Sequence, residues 1–147
     1  MRILRHEAGH AIDNAYRLRR QSRWREVFGP SSLPYPNRYR ARPGSRRYVH
    51  HLGDWYAQAH PTEDFAETFA VWLQSRRSWR RDYADWPAMH KLTLVDELMR
   101  GVADAAPVVS RRLTVEPLAQ NQRTLAQHYR QRALNRIHHR RGRIDEL

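Results

Sequence analysis

The chain has no cysteine. Disulfides, thiolate metal sites and a cysteine nucleophile are therefore excluded, and any transition-metal site must draw on histidine and carboxylate ligands. Lysine is nearly missing too, with Lys91 its single instance. No apolar run approaches the length of a bilayer span. The start, Met1-Arg2-Ile3-Leu4-Arg5, lacks the apolar centre of a signal peptide, so a cytoplasmic protein without a membrane partner is expected. Acidic residues are the minority: 15 Asp and Glu face 27 Lys and Arg, a net charge of +12. That balance favours acidic or phosphate-rich partners through non-specific attraction. It does not identify a function.

What is present suits one folded domain over 1–147. The chain has 147 residues, is 40% apolar, and carries five Trp, seven Tyr and three Phe, enough to bury a moderate core. Residues 2–20 read as a helix, because Ile3, Leu4, Ala8, Ala11, Ile12, Ala15 and Leu18 recur at three- and four-residue spacing. Residues 23–28 continue it or form a short second helix, and Gly29-Pro30 stops it. Residues 29–47 are a long connection held non-helical by Pro30, Pro34, Pro36, Pro43 and Gly44. Tyr48 to Leu52 is a candidate short strand. A helix then runs from about Pro61 to Gln74, with Thr62 as its expected cap and Phe65, Phe69, Trp72 and Leu73 as its apolar stripe.

The second half is less legible. Residues 76–86 show no clear period. A helix is expected over 87–104 with Leu94, Val95, Leu98 and Val102 on one face, then an irregular stretch over 107–115. A last helix is expected over about 117–138, followed by a frayed Arg-rich tail over 139–147. The fold class that results is mainly α, with at most a small strand element. Residues 1–75 form the helices and loop of the site, and 76–138 pack over them.

The chemistry lies in His6-Glu7-Ala8-Gly9-His10. On a helix, residues four apart sit one above the other, so both imidazoles can reach one ion. Zinc bound by two His needs a third protein ligand and leaves a fourth position for water, whose pKa it lowers to about 7. Glu7 can take the proton of that water. A third ligand on the same helix is excluded, because Asp13 and Tyr16 stand where Gly and His would be needed. A second helix offers Glu63-Asp64-Phe65-Ala66-Glu67, whose two glutamates share a face. Glu63 can reach the metal while Glu67 accepts the free ring N–H of a ligand His. Other candidates stay open. Asp54 could be the third ligand, though Gly53-Asp54 lacks the usual spacing. His50 and His51 could serve the site, but are expected as surface residues of a basic loop. His60 is expected to be structural, and Asp13 either braces the site by hydrogen bonding or is an exposed helix residue.

These two motifs together, His6 to Asp13 and His60 to Ala70, resemble the zinc-binding metallopeptidases of the gluzincin type and the catalytic half of anthrax lethal factor. The resemblance covers roughly residues 2–73. It implies zinc held by His6, His10 and Glu63, Glu7 as the base and Glu67 as the carboxylate behind a ligand His. It further implies a catalytic role for Tyr56, seven residues before Glu63, as donor to an oxyanion; the competing reading of Tyr56 is an aromatic packing against Trp55. Such catalytic domains place a sheet before the first helix, and here His6 follows too closely on Met1 for one. The start is truncated, the domain is minimal, or later segments replace that sheet.

Three functions follow as expectations. The first is a zinc peptidase acting on a peptide or protein substrate. The second is a basic nucleic-acid-binding module. In that reading Arg38, Arg40, Arg42, Arg46 and Arg47 alternate with Tyr35, Tyr39 and Tyr48 in the long loop, and Arg17, Arg19, Arg20, Arg23 and Arg25 crowd another region. The third is a zinc-holding fragment without turnover.

Overall fold

The first helix, α1, spans Arg2–Tyr16, four residues shorter than its periodicity suggests. The reason lies in Asp13, a fully buried carboxylate. It accepts the backbone N–H of Arg19 at 2.9 Å and lies 2.7 Å from the Arg19 Nε. That pull turns the chain back on itself. Arg17 takes a left-handed conformation (φ 52°) as the C-cap, and a 3-10 turn follows over Leu18–Arg20. Ala8 and Ile12 of the apolar stripe of α1 pack partly against the core, but the fully buried positions of the helix do not carry apolar side chains. His6, Gly9 and Asp13 are buried, whereas Ile3 and Leu4 are 65% and 66% exposed.

This computed structural model describes residues 1–74 and 78–109, with 124, 126, 127 and 130. The chain divides into two units, Met1–Ser110 and Arg111–Leu147; every element below belongs to the first. The expected helix over 117–138 and the tail after it lie outside the described residues, apart from those four positions. No helix among the described residues is long and apolar enough to cross a membrane.

A second helix, α2, covers Ser22–Phe28, buries Trp24 and Phe28, and ends at Gly29, whose φ of 100° suits glycine. Residues 29–60 then run without regular structure except for a 3-10 turn at Tyr56–Gln58. The strand expected over 48–52 does not form. The N–H of His50 donates to the Tyr83 hydroxyl and that of Leu52 to the Glu67 carboxylate, so neither is free for a ladder. Among the described residues there is no strand, so none of them forms the sheet that the resemblance implies.

Helix α3, Pro61–Gln74, is the centre of the unit: every residue from Thr62 to Trp72 is buried. Its cap is His60, not Thr62. The His60 Nε2 donates to the Leu33 carbonyl at 2.9 Å, which leaves Nδ1 as acceptor for the Thr62 N–H at 3.2 Å. Pro61 takes the first helical position, where its missing N–H costs nothing. A short helix, α4 at Ser78–Asp82, buries Trp79. The last described helix of this unit, α5 at Met89–Val102, is shorter than expected and packs Leu92, Leu94, Val95, Leu98 and Met99 into the core with Phe65, Phe69 and Trp72. Two polar bonds tie it to α3: Lys91 Nζ to Asp64 at 2.6 Å, and Trp72 Nε1 to Asp96 at 2.9 Å. Burial pushes the Asp64 carboxyl up to about 7 against the pull of Lys91.

The crossing of α1 and α3 is set by Gly9. A Cβ there would stand 2.9 Å from Ala66 Cα and 3.2 Å from its carbonyl oxygen, closer than carbon atoms pack. Gly9→Ala is therefore expected to destabilise the protein by about 1–3 kcal/mol, the usual range for overpacking. Urea unfolding checks this. Unchanged stability would mean that the helices can part at no cost.

Candidate metal centre

The α1–α3 crossing aligns four polar side chains. His6 and His10, one turn apart on α1, face Glu63 and Glu67, one turn apart on α3. The Nε2 atoms of the two rings lie 3.2 Å apart, and the Glu63 Oε2 lies 3.1 Å from that of His6 and 3.3 Å from that of His10. Zinc held tetrahedrally at about 2.0–2.1 Å from nitrogen and oxygen sets its donors about 3.3–3.4 Å apart. His6, His10 and Glu63 thus form a group able to hold a metal ion, and their spacing matches three corners of such a tetrahedron.

The proton inventory argues the same way. His6 is 3% exposed. Its Nδ1 donates to Glu67 Oε1 at 2.8 Å. In a neutral ring Nε2 is then a bare lone pair, yet it faces a carboxylate oxygen and a second imidazole nitrogen. Electron-rich atoms this close need a proton or a cation between them. Burial works against a charged His6, but hydrogen bonds to Glu63 and Glu67 and their charges lift it to about 9. Burial likewise works against a charged Glu63, but hydrogen bonds from His10, His6 and Tyr35 hold it well below the usual carboxylate range. Both shifts report a pocket that favours positive charge at its middle. The other oxygen of Glu67 accepts the Leu52 N–H at 2.8 Å, so this buried carboxylate is held at both ends.

Two residues of the centre were not foreseen. Tyr35, in the long loop, donates its hydroxyl to Glu63 Oε1 at 2.6 Å, lies 2.5 Å from the Thr62 hydroxyl, and stacks its ring on His60 at 3.9 Å. It thereby occupies the glutamate oxygen that points away from the histidines. Nothing in the spacing of Tyr35 from Glu63 marks it. Gly9 is the other; its place inside the His6–His10 turn was the available signal.

The remaining candidates fall as follows. Tyr56 sets its ring 5.7 Å from that of His6; burial, then the charge and hydrogen bonding of Glu63, raise its phenol above the ordinary value. Glu7 is exposed on α1 and forms no hydrogen bond or ion pair with a described residue. Asp13 pairs with Arg19 at the turn after α1. Burial raises its pKa, while Arg19 and, more weakly, the charge of His10 lower it. Asp54 is exposed, left-handed at φ 56°, and offers its backbone carbonyl to Tyr39; it is not in the metal group. Nor are His50, whose ring packs against Trp55, and His51. His51 is not a surface residue: it is 1% exposed and donates Nε2 to the Arg2 carbonyl at 2.9 Å, stapling the loop to the first turn of α1.

Two outcomes are expected. His6 has a folded value near 9 against 6.5 for a free ring, so its proton stabilises the metal-free protein fully below pH 6.5, and that stability is lost as pH rises through 9. Thermal melts in chelator should show the decline. Zinc competes for the same nitrogen, so its binding near pH 7 should release a proton; a flat melting profile would contradict the arrangement. Tyr35→Phe keeps the stack on His60 and removes the bond to Glu63. Zinc affinity should fall about 10–100-fold, as for other groups that orient a ligand, in competition with a chromophoric chelator.

Comparison with known proteins gives one match. No curated protein and no solved structure matches the chain. A family model described as "Putative zinc-binding metallo-peptidase" matches residues 2–84, a span that contains α1, the long loop, α3 and all the residues of the centre. The match covers more than half of the chain, and the chain belongs to this zinc-binding metallopeptidase family.

Proposed function

We propose that the protein is a zinc-dependent peptidase of the gluzincin type, with His6, His10 and Glu63 as ligands. The observation that carries this reading is the convergence of two imidazole nitrogens and one carboxylate oxygen at 3.1–3.3 Å from one another. His6, His10 and Glu63 would hold a zinc ion there, which would supply carbonyl polarisation and hydroxide near neutral pH. Glu7 directly follows His6, and no described residue competes for its carboxylate. It accepts the proton of the attacking water and passes it to the leaving amine. Tyr56, beside His6, donates its hydroxyl to the oxygen of the carbonyl as charge develops on it. Glu67 keeps the His6 proton on Nδ1, so that Nε2 is free to bind. Asp13 holds the chain reversal that ends the helix carrying both histidines.

Glu7→Gln separates binding from turnover. Wild type and variant should each hold about one zinc per chain, and the variant should lose peptide cleavage by about 100-fold or more. Metal analysis and cleavage of a broad peptide library measure both. A wild type that holds zinc and cleaves nothing would reject the peptidase reading and leave a zinc-holding fragment.

A further inference from the structure

The long loop that supplies Tyr35 also carries exposed arginines in a stretch tied to the segment beside the metal centre. The Tyr39 hydroxyl donates to the Asp54 carbonyl at 2.7 Å, and its ring lies 6.4 Å from that of Tyr56. The Arg42 N–H donates to Gln58 Oε1 at 2.8 Å, and Gln58 Nε2 donates to the Arg42 carbonyl at 3.1 Å. Residues 39–42 are thus tied at both ends to the segment around Tyr56, which itself touches His6. Arg38, Arg40 and Arg42 are exposed there and form no ion pair with a described residue. Arg2 is exposed as well, one turn before His6 on α1.

Other arginines are met by carboxylates: Arg19 by Asp13, Arg23 by Glu97, Arg100 by Asp96. Few carboxylates answer those near the centre. Of the acidic residues in α1 and residues 29–60, Glu7 and Asp54 are the exposed ones. A guanidinium presents paired N–H donors that match a carboxylate. One exposed contact of this kind contributes little, but several of one sign around a cleft concentrate and orient an oppositely charged chain.

We propose that this centre selects acidic peptides, with Asp or Glu side chains near the scissile bond met by Arg38, Arg40 and Arg42. The inference deepens the peptidase reading and rests on it. A nucleic acid would feel the same charge, but it also needs free aromatic faces for its bases. Those of the loop each have a partner against the ring already: Tyr35 stacks on His60, Tyr39 meets Tyr56, and Lys91 covers Tyr48 at 4.1 Å.

The test uses the full-length zinc-loaded chain and three peptides of equal length, one rich in Asp and Glu, one neutral, one rich in Lys and Arg. Wild type gives kcat/KM for each. Glu7→Gln gives binding of the same labelled peptides and of a single-stranded oligonucleotide. The acidic peptide should lead the neutral one by about tenfold in both readouts, the sum of a few exposed contacts, with the lead shrinking as salt rises. Arg38→Glu with Arg40→Glu should abolish it. Arg20→Glu with Arg25→Glu, an equal charge change beyond the far end of α1, should keep it. Zinc content confirms that each variant folds. Equal handling of acidic and neutral peptides, an equal loss in both double variants, or an oligonucleotide that binds more tightly than the acidic peptide and displaces it would overturn the proposal. If no peptide is cleaved the peptidase reading fails, and the binding series still decides whether the loop selects acidic chains.

Discussion

The structure depends on how closely α1 can approach α3. At the crossing, the absent side chain of Gly9 lets the helix backbone rest on Ala66. His6, one turn before Gly9, and His10, the residue after it, then meet Glu63 and Glu67 at hydrogen-bonding range. A methyl group at the crossing would part the helices by a few tenths of an ångström. That is already a sizeable fraction of the tolerance of a metal–ligand bond. Packing and coordination are therefore one constraint.

This also explains why α3 can be buried while carrying Thr62, Glu63, Asp64, Glu67 and Thr68. A buried polar group is tolerated when bonded and costly when not. Glu63 answers the histidines and Tyr35, and Glu67 answers His6 and the Leu52 N–H. Asp64 answers Lys91, and Thr68 returns its hydroxyl to the Asp64 carbonyl. The chain's one lysine is spent inside, on Asp64, while arginines occupy the surface.

The loop from Gly29 to His60 joins the two halves of the site in a way that no regular element does. Tyr35 reaches Glu63, His51 reaches the first turn of α1, Leu52 reaches Glu67, and Tyr56 lies against His6. Its lack of secondary structure lets its hydrogen-bonding groups go to the centre rather than to a ladder.

The sequence by itself made α1, α3 and α5 legible, along with the candidate group of His6, His10 and Glu63. The spacing of His6 and His10, of Glu63 and Glu67, and of the apolar residues around Phe65 depends on a local period, and a local period survives in one dimension. It did not determine which face of α1 turns inward. The period gave a stripe from Ile3 to Leu18, of which Ile3 and Leu4 stay exposed, while the carboxylates of α3 stabilise His6 and His10 on the side facing them. Nor did it reveal the contact at Gly9, the bond from Tyr35 to Glu63, the cap made by His60, or the capture of Arg19 by Asp13 that ends α1 early. Those belonged to the tertiary structure alone. Each joins groups whose meeting depends on where the backbone comes to rest, and no spacing along the chain encodes that.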